Sequence, residues 1–122
     1  MRLQESGEMY LETIFILSQR LEHVRSLDVA AHMGFSKPSV SRAVGLLKRG
    51  GYLLMDPAGY LTLTEAGLAI AEKIYERHTT LSRFLINIGV DEKTALEDAC
   101  KMEHYISDVT FQKIKIFAKD MN

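Results

Sequence analysis

Ser26-Leu27-Asp28-Val29-Ala30-Ala31-His32-Met33-Gly34-Phe35-Ser36-Lys37-Pro38-Ser39-Val40-Ser41-Arg42-Ala43-Val44-Gly45-Leu46-Leu47-Lys48-Arg49-Gly50-Gly51 reads as two short helices and the turn between them. Ser26 is a candidate N-cap for a helix over Leu27 to Met33, and Gly34 is its stop. Ser36 is a second N-cap. Lys37 and Pro38 then fall at the first helical positions, where a missing N–H costs nothing. The helix runs to Arg49, and Gly50-Gly51 ends it. Val40, Val44 and Leu47 share one face and are expected in the core.

A β signal follows at once. Tyr52-Leu53-Leu54-Met55 and Tyr60-Leu61-Thr62-Leu63 flank Asp56-Pro57-Ala58-Gly59. Two apolar runs around a Pro/Gly turn predict a hairpin. Two helices and a hairpin in this order spell a winged helix-turn-helix. The second helix of such a unit enters the major groove by its N-terminal end. That end carries Ser36, Lys37, Pro38, Ser39, Ser41 and Arg42, the expected DNA-binding residues. Small hydroxyls allow close approach, and Lys and Arg meet phosphates or guanine acceptors.

The rest of the chain is helical in period. Tyr10, Leu11, Ile14 and Leu17 place a first helix over Glu5 to Arg20, and Glu22-His23-Val24-Arg25 reads as a connection. Thr64 caps a long helix running to about Ile88, with Ile70, Ile74, Leu81 and Leu85 on its apolar face and Gly89 closing it. Helices over Glu92 to Tyr105 and Asp108 to Lys119 follow, capped by Asp91 and Ser107. The expected fold is mainly α: a winged helix-turn-helix DNA-binding domain over 1–63, then a helical second domain over 64–122.

Composition narrows the function classes. The 122 residues carry 15 Lys+Arg against 16 Asp+Glu, which excludes a uniformly basic protein. The charges are segregated nevertheless. Between Ser36 and Met55 stand Lys37, Arg42, Lys48 and Arg49 with no acid. Between Asp91 and His104 five acids stand against two bases. A basic face for DNA and an acidic patch for cations fit that asymmetry. No apolar run reaches the roughly 18 residues of a membrane helix. The start, from Met1 to Glu8, lacks the apolar core of a secretory signal. A single cysteine, Cys100, forms no intrachain disulfide, so a reducing cytoplasm is the expected location. There is no Gly-rich phosphate loop and no Gly-x-Ser-x-Gly elbow, and the chain is not expected to be an enzyme.

Cys100-x-x-Glu103-His104 puts thiol, carboxylate and imidazole on one helix face. Together they form a first-row transition-metal donor set. Met9 and Glu12, at i and i+3 on the first helix, and His78 on the long helix could join them. Each has a plainer role: Met9 and Cys100 as core fillers, Glu12 on a solvated face, His78 as a cap or pair. From spacing alone the two roles are evenly matched. His23 and His32 are expected at the surface. A Cys100–His104 thiolate–imidazole pair in an enzyme, or a winged-helix regulator of a small organic ligand, are the competing readings.

The residues quoted so far resemble the iron- and manganese-dependent repressors of the diphtheria toxin repressor and manganese transport regulator family. The resemblance runs through Glu8-Met9-Tyr10-Leu11-Glu12, Ser36-Lys37-Pro38-Ser39-Val40-Ser41, Leu63-Thr64-Glu65-Ala66-Gly67, Arg77-His78, Ile88-Gly89-Val90-Asp91 and Ala99-Cys100-Lys101-Met102-Glu103-His104. It implies that the 64–122 domain serves dimerisation and metal binding, in a homodimer that binds double-stranded palindromic operators and represses metal uptake genes when Fe(II) or Mn(II) is abundant. By resemblance, Met9, Cys100, Glu103 and His104 match the primary site of the iron branch. Glu12 and His78 match ligands of the second ion in the manganese branch, and Ser36, Pro38 and Arg42 fall where bases are touched. The manganese branch has an aspartate at Met9 and a carboxylate at Cys100, so the softer donors here favour Fe(II). The resemblance also implies a short, two-domain form without the SH3-like domain of longer iron regulators, and Ser82 stands near the position where those carry a glutamate.

Overall fold

The computed structural model describes residues 5–120. Met1 to Gln4, half of the stretch read above as lacking a leader signal, lie outside the described residues. Among these residues the order is α1 (Glu5–Ser18), α2 (Ser26–Met33), α3 (Lys37–Arg49), β1 (Leu53–Met55), β2 (Leu61–Leu63), α4 (Glu65–Asn87), α5 (Glu92–Tyr105) and α6 (Asp108–Asp120). The mainly α class and the winged order stand as expected. Contacts divide the chain into Met1–Glu72 and Lys73–Asn122. That division falls inside α4, because its first turns pack on the wing, whereas the sequence division at 63/64 marks where the helix begins.

In the first unit, α1 presents Tyr10, Leu11, Ile14 and Leu17 to a core shared with Val29, Val40, Val44, Leu47, Leu53 and Leu61. Burial of a side chain such as Leu11 contributes about 1.5–3 kcal/mol. α1 stops at Ser18, two residues short of Arg20, in a turn closed by Gln19 and Arg20 N–H groups donating to Ile16 and Leu17. The α2–α3 turn depends on Gly34, whose φ of 71° lies in the left-handed region that glycine enters without strain. Ser36 caps α3, its Oγ accepting from Ser39 N at 3.3 Å. The cap of α2 differs from expectation. It is Arg25, not Ser26, because Asp28 accepts the Arg25 N–H at 2.9 Å and so draws Ser26 into the helix.

β1 and β2 pair antiparallel, with Leu53 opposite Leu63 and Met55 opposite Leu61. Both strands are one residue shorter at their start than the sequence indicates. Tyr52 turns to place its carbonyl against α4, and Tyr60 instead forms a bridge with Arg25. The 22–25 connection is thus structured. Val24 is buried and its carbonyl accepts from Leu61 N at 2.7 Å. His23, exposed as expected, stacks on Tyr60 at 4.2 Å. Thr64 caps α4, accepting from Gly67 N at 3.1 Å and donating to the Gly51 carbonyl at 2.7 Å. Gly67 is required there, because a Cβ would lie 2.1 Å from the Tyr52 oxygen.

In the second unit, Leu81 of α4, Ala99 of α5 and Phe111 of α6 form a small core with Met102, Ile106 and Ile114 against it. Asp91 caps α5, accepting from Thr94 N at 3.0 Å, and Ser107 caps α6, accepting from Thr110 N at 3.2 Å. α4 ends at Asn87 and the chain leaves through Gly89 at φ 107°.

Candidate metal centre and nucleic-acid interface

The i, i+3 and i, i+4 spacings on α5 set Glu103 and His104 one turn on from Cys100, and α4 supplies His78 against Cys100 and Glu103. His78 Nδ1 lies 2.8 Å from Glu103 Oε2, and Cys100 Sγ lies 3.9 Å from the same nitrogen. One donor atom each of His78, Cys100 and Glu103 falls within 4.8 Å of the others. His104 Nε2 is 3.4 Å from the second carboxylate oxygen, Glu103 Oε1. Glu103 is 1% exposed. A buried carboxylate is costly unless cations or donors share its charge.

The donor set fits a transition-metal ion. Thiolate, imidazole and carboxylate suit iron, cobalt or zinc better than calcium or magnesium. Ligands about 2.0–2.3 Å from one ion stand roughly 3–4 Å apart, close to the spacings of this cluster. Cys100 is exposed, giving the cluster a face toward solvent.

The other two sequence candidates lie on α1, in the first unit. Met9 and Glu12 are both partly buried and stand one turn apart. The structure thus brings together His78, Cys100 and Glu103 in the second unit, with His104 Nε2 beside the other Glu103 oxygen.

Sequence reasoning passed over Arg77, noted there only as a neighbour of His78. Arg77 is 5% exposed. Its Nη1 donates to the carbonyls of Glu103 at 3.0 Å and Ile106 at 2.8 Å, and its Nη2 pairs with Asp108. Lys73 also pairs with Asp108, at 3.2 Å, and these partners hold the Asp108 carboxyl below the usual carboxylate value. The sequence signal was thin: an arginine in the middle of a helix has no local pattern that names its partners.

On the DNA side, Val40, Val44 and Leu47 are buried, which turns the opposite face of α3 outward. Ser36, Lys37, Pro38, Ser41 and Arg42 are exposed and Ser39 is partly exposed. Three of them form a chain along the helix. Ser36 Oγ bonds Ser39 Oγ at 2.9 Å, and Arg42 Nη2 reaches Ser39 Oγ at 3.5 Å. The cap hydroxyls are therefore engaged with each other and with the Ser39 N–H, with Arg42 at the edge of reach, while Lys37 and Ser41 are exposed in the first turns. Burial pushes the Tyr10 phenol above its ordinary value, and the Arg42 charge opposes that rise.

Residues 2–61 match the family model described as the iron dependent repressor N-terminal DNA binding domain. Residues 64–122 match the iron dependent repressor metal binding and dimerisation domain. The chain is 36% identical over 117 residues to the HTH-type transcriptional regulator MJ0568 of Methanocaldococcus jannaschii, covering 94% of each chain. It is 33% identical over 110 residues to the transcriptional regulator MntR of Escherichia coli O157:H7, covering 90% of this chain and 71% of that one. Among solved structures, the manganese regulator SloR superposes with a TM-score of 0.83 at 30% identity. That match covers 98% of this chain but 55% of SloR, so the chain spans just over half the length of that relative. These proteins are transcriptional regulators, not enzymes, which sets aside the reading of Cys100 and His104 as a catalytic pair. With both family models matched in order along its length, the chain belongs to the iron-dependent repressor family.

Proposed function

We propose that this protein is a metal-activated transcriptional repressor that works in the cytoplasm as a homodimer on palindromic operators, controlling metal uptake genes. The observation that carries the reading is the His78–Cys100–Glu103 cluster, with its donors within 4.8 Å of one another, in a chain that also carries a capped recognition helix. His78, Cys100, Glu103 and His104 would hold the ion, with Met9 and Glu12 of α1 completing the ligand set. A bound divalent ion supplies positive charge that balances the buried Glu103 carboxylate and the Cys100 thiolate.

The chain's own residues do the rest. Met9 and Glu12 sit on the helix that packs α2 and α3 into the first core. Sharing ligands between α1 and α5 would therefore restrict how the recognition helix is carried. In a dimer, two such helices would stand about one DNA turn apart, or a multiple of it. Lys37 would meet phosphate, while Arg42 would read base edges from the position that Ser39 sets.

Fe(II) is favoured over Mn(II). SloR is a manganese regulator, but the thiol of Cys100 and the thioether of Met9 are soft donors, and Mn(II) prefers oxygen. The test is operator affinity at fixed salt, titrated anaerobically with Fe(II), Mn(II), Co(II) or Zn(II) on protein without a His-tag. A coupling of about 1–3 kcal/mol gives about 5- to 150-fold tighter DNA binding. Superimposed curves with and without metal overturn the reading.

A further inference from the structure

We propose that Arg77 is a positioning residue for the metal centre: it fixes the end of α5 so that Glu103 and His104 keep their donors aimed at His78. The proposal rests on the reading of His78, Cys100 and Glu103 as ligands.

Arg77 and His78 are consecutive on α4, yet both hold the same residue. Arg77 Nη1 binds the Glu103 carbonyl at 3.0 Å, and His78 Nδ1 meets the Glu103 carboxylate at 2.8 Å. Glu103 is thus fixed at its backbone and at its side chain by neighbours on one helix. Its carbonyl is among the last four of α5, which have no partner within the helix. Arg77 supplies that donor, and the same nitrogen takes the Ile106 carbonyl at the C-cap. Nη2 reaches across to Asp108 in the first turn of α6. The guanidinium also lies over the Phe111 ring, 5.5 Å from its centroid. One rigid fork therefore sets where α5 ends and where α6 begins. The last turn of α5 carries two candidate ligands, so its orientation is the orientation of their donors.

Stability alone is a weak reason for this arrangement. A buried cation is often no better than a well-packed apolar side chain of similar size. Arg77 Nε is buried with no hydrogen-bond partner, so the fork is not fully compensated. A planar group with donors at fixed angles holds two carbonyls and a carboxylate in a way the single ammonium of lysine does not.

The experiment uses the full chain under anaerobic conditions, with Co(II) as the probe. It follows the thiolate charge-transfer band and the d–d envelope in wild type, Arg77→Lys, Arg77→Met and Ile114→Ala. Ile114 packs against the second core, is not among the candidate ligands and makes none of the Arg77 hydrogen bonds, so it serves as a stability control. Residues that orient metal ligands typically change affinity 10- to 100-fold when altered. We expect both Arg77 variants to bind Co(II) about 10- to 100-fold more weakly with an altered d–d envelope. Ile114→Ala should lower Tm and leave affinity and spectrum unchanged. If Arg77→Met does not fold, Arg77→Lys decides alone. Arg77 variants that melt earlier but keep wild-type affinity and spectrum show a clasp of structural value only, and overturn the proposal. So does an equal loss of affinity in Ile114→Ala. A wild-type chain giving no Co(II) spectrum overturns the ligand reading itself, and the role of Arg77 falls with it.

Discussion

His78 of α4 and Glu103 of α5 meet at 2.8 Å, with the carboxylate almost entirely withdrawn from water. A carboxylate so placed serves a cation better than it serves the fold. Glu103→Gln keeps the shape and a hydrogen bond to the imidazole while removing the charge. Its unfolding free energy without metal should stay within about 1 kcal/mol of wild type, because the hydrogen bond survives. The added stability that metal gives the wild type, about 2.7 kcal/mol at a hundredfold excess over Kd, should be absent. Thermal melts with and without Co(II) check this. An undiminished metal-induced rise in Tm removes Glu103 from the ligand set.

Gly67 lies against the Tyr52 carbonyl so closely that a methyl group would sit 2.1 Å from the oxygen. That oxygen also accepts the Thr64 N–H at 3.1 Å, so it is not free to retreat. Gly67→Ala should destabilise the winged unit by about 1–3 kcal/mol despite the better helix propensity of alanine. Urea unfolding measures it, and an unchanged or raised midpoint contradicts the close approach.

Arg42 is exposed on α3 and aligned by Ser39, whose Oγ lies 3.5 Å from its Nη2. Arg42→Ala should weaken binding to the cognate operator by about 1–3 kcal/mol and leave metal affinity unchanged. Lys37→Ala should act differently, weakening all DNA sequences alike and lowering the salt slope by about one unit. Fluorescence anisotropy over a range of salt separates the two. Equal effects of both variants on specific and nonspecific DNA would assign Arg42 to phosphate.

Hydrogen bonds from Lys73 and then Arg77 hold the Asp108 carboxyl below its ordinary value. A depressed folded-state pKa means that the charged form is favoured in the folded protein. The resulting stability is present above the unfolded carboxylate value, near pH 4, and is lost as pH falls through the lower folded value. Urea midpoints of wild type should therefore drop as pH falls below the ordinary carboxylate range, and Asp108→Asn should be less stable at neutral pH with a shallower acid slope. Parallel slopes in the two proteins would place the acid sensitivity elsewhere.

Periodic features were legible in the sequence. The capped α3, the stop at Gly34 and the wing each rest on a local rule, and neighbouring residues supply all the chemistry involved. The α5 donors were legible for the same reason, since i, i+3 and i+4 fix a shared face. The cap of α2 was not, because Ser26 is the better capping residue in isolation and only the reach of Asp28 to Arg25 N selects the earlier position. The pairing of Val24 with Leu61 and of Arg25 with Tyr60 joins segments more than thirty residues apart, and the composition of the 22–25 connection gives no strand signal. Arg77 was the least visible. Two of its three hydrogen-bond partners are backbone carbonyls 26 and 29 residues away, and carbonyls leave no trace in a residue code.

The exposure of Cys100 has a practical sequel. It is the sole sulfhydryl of the polypeptide, so a thiol-reactive dye modifies a single atom, at 3.9 Å from the His78 ring. Under the proposed ligation the labelling rate becomes a built-in occupancy gauge on purified, untagged protein: fast when no ion holds the sulfur, slow when one does.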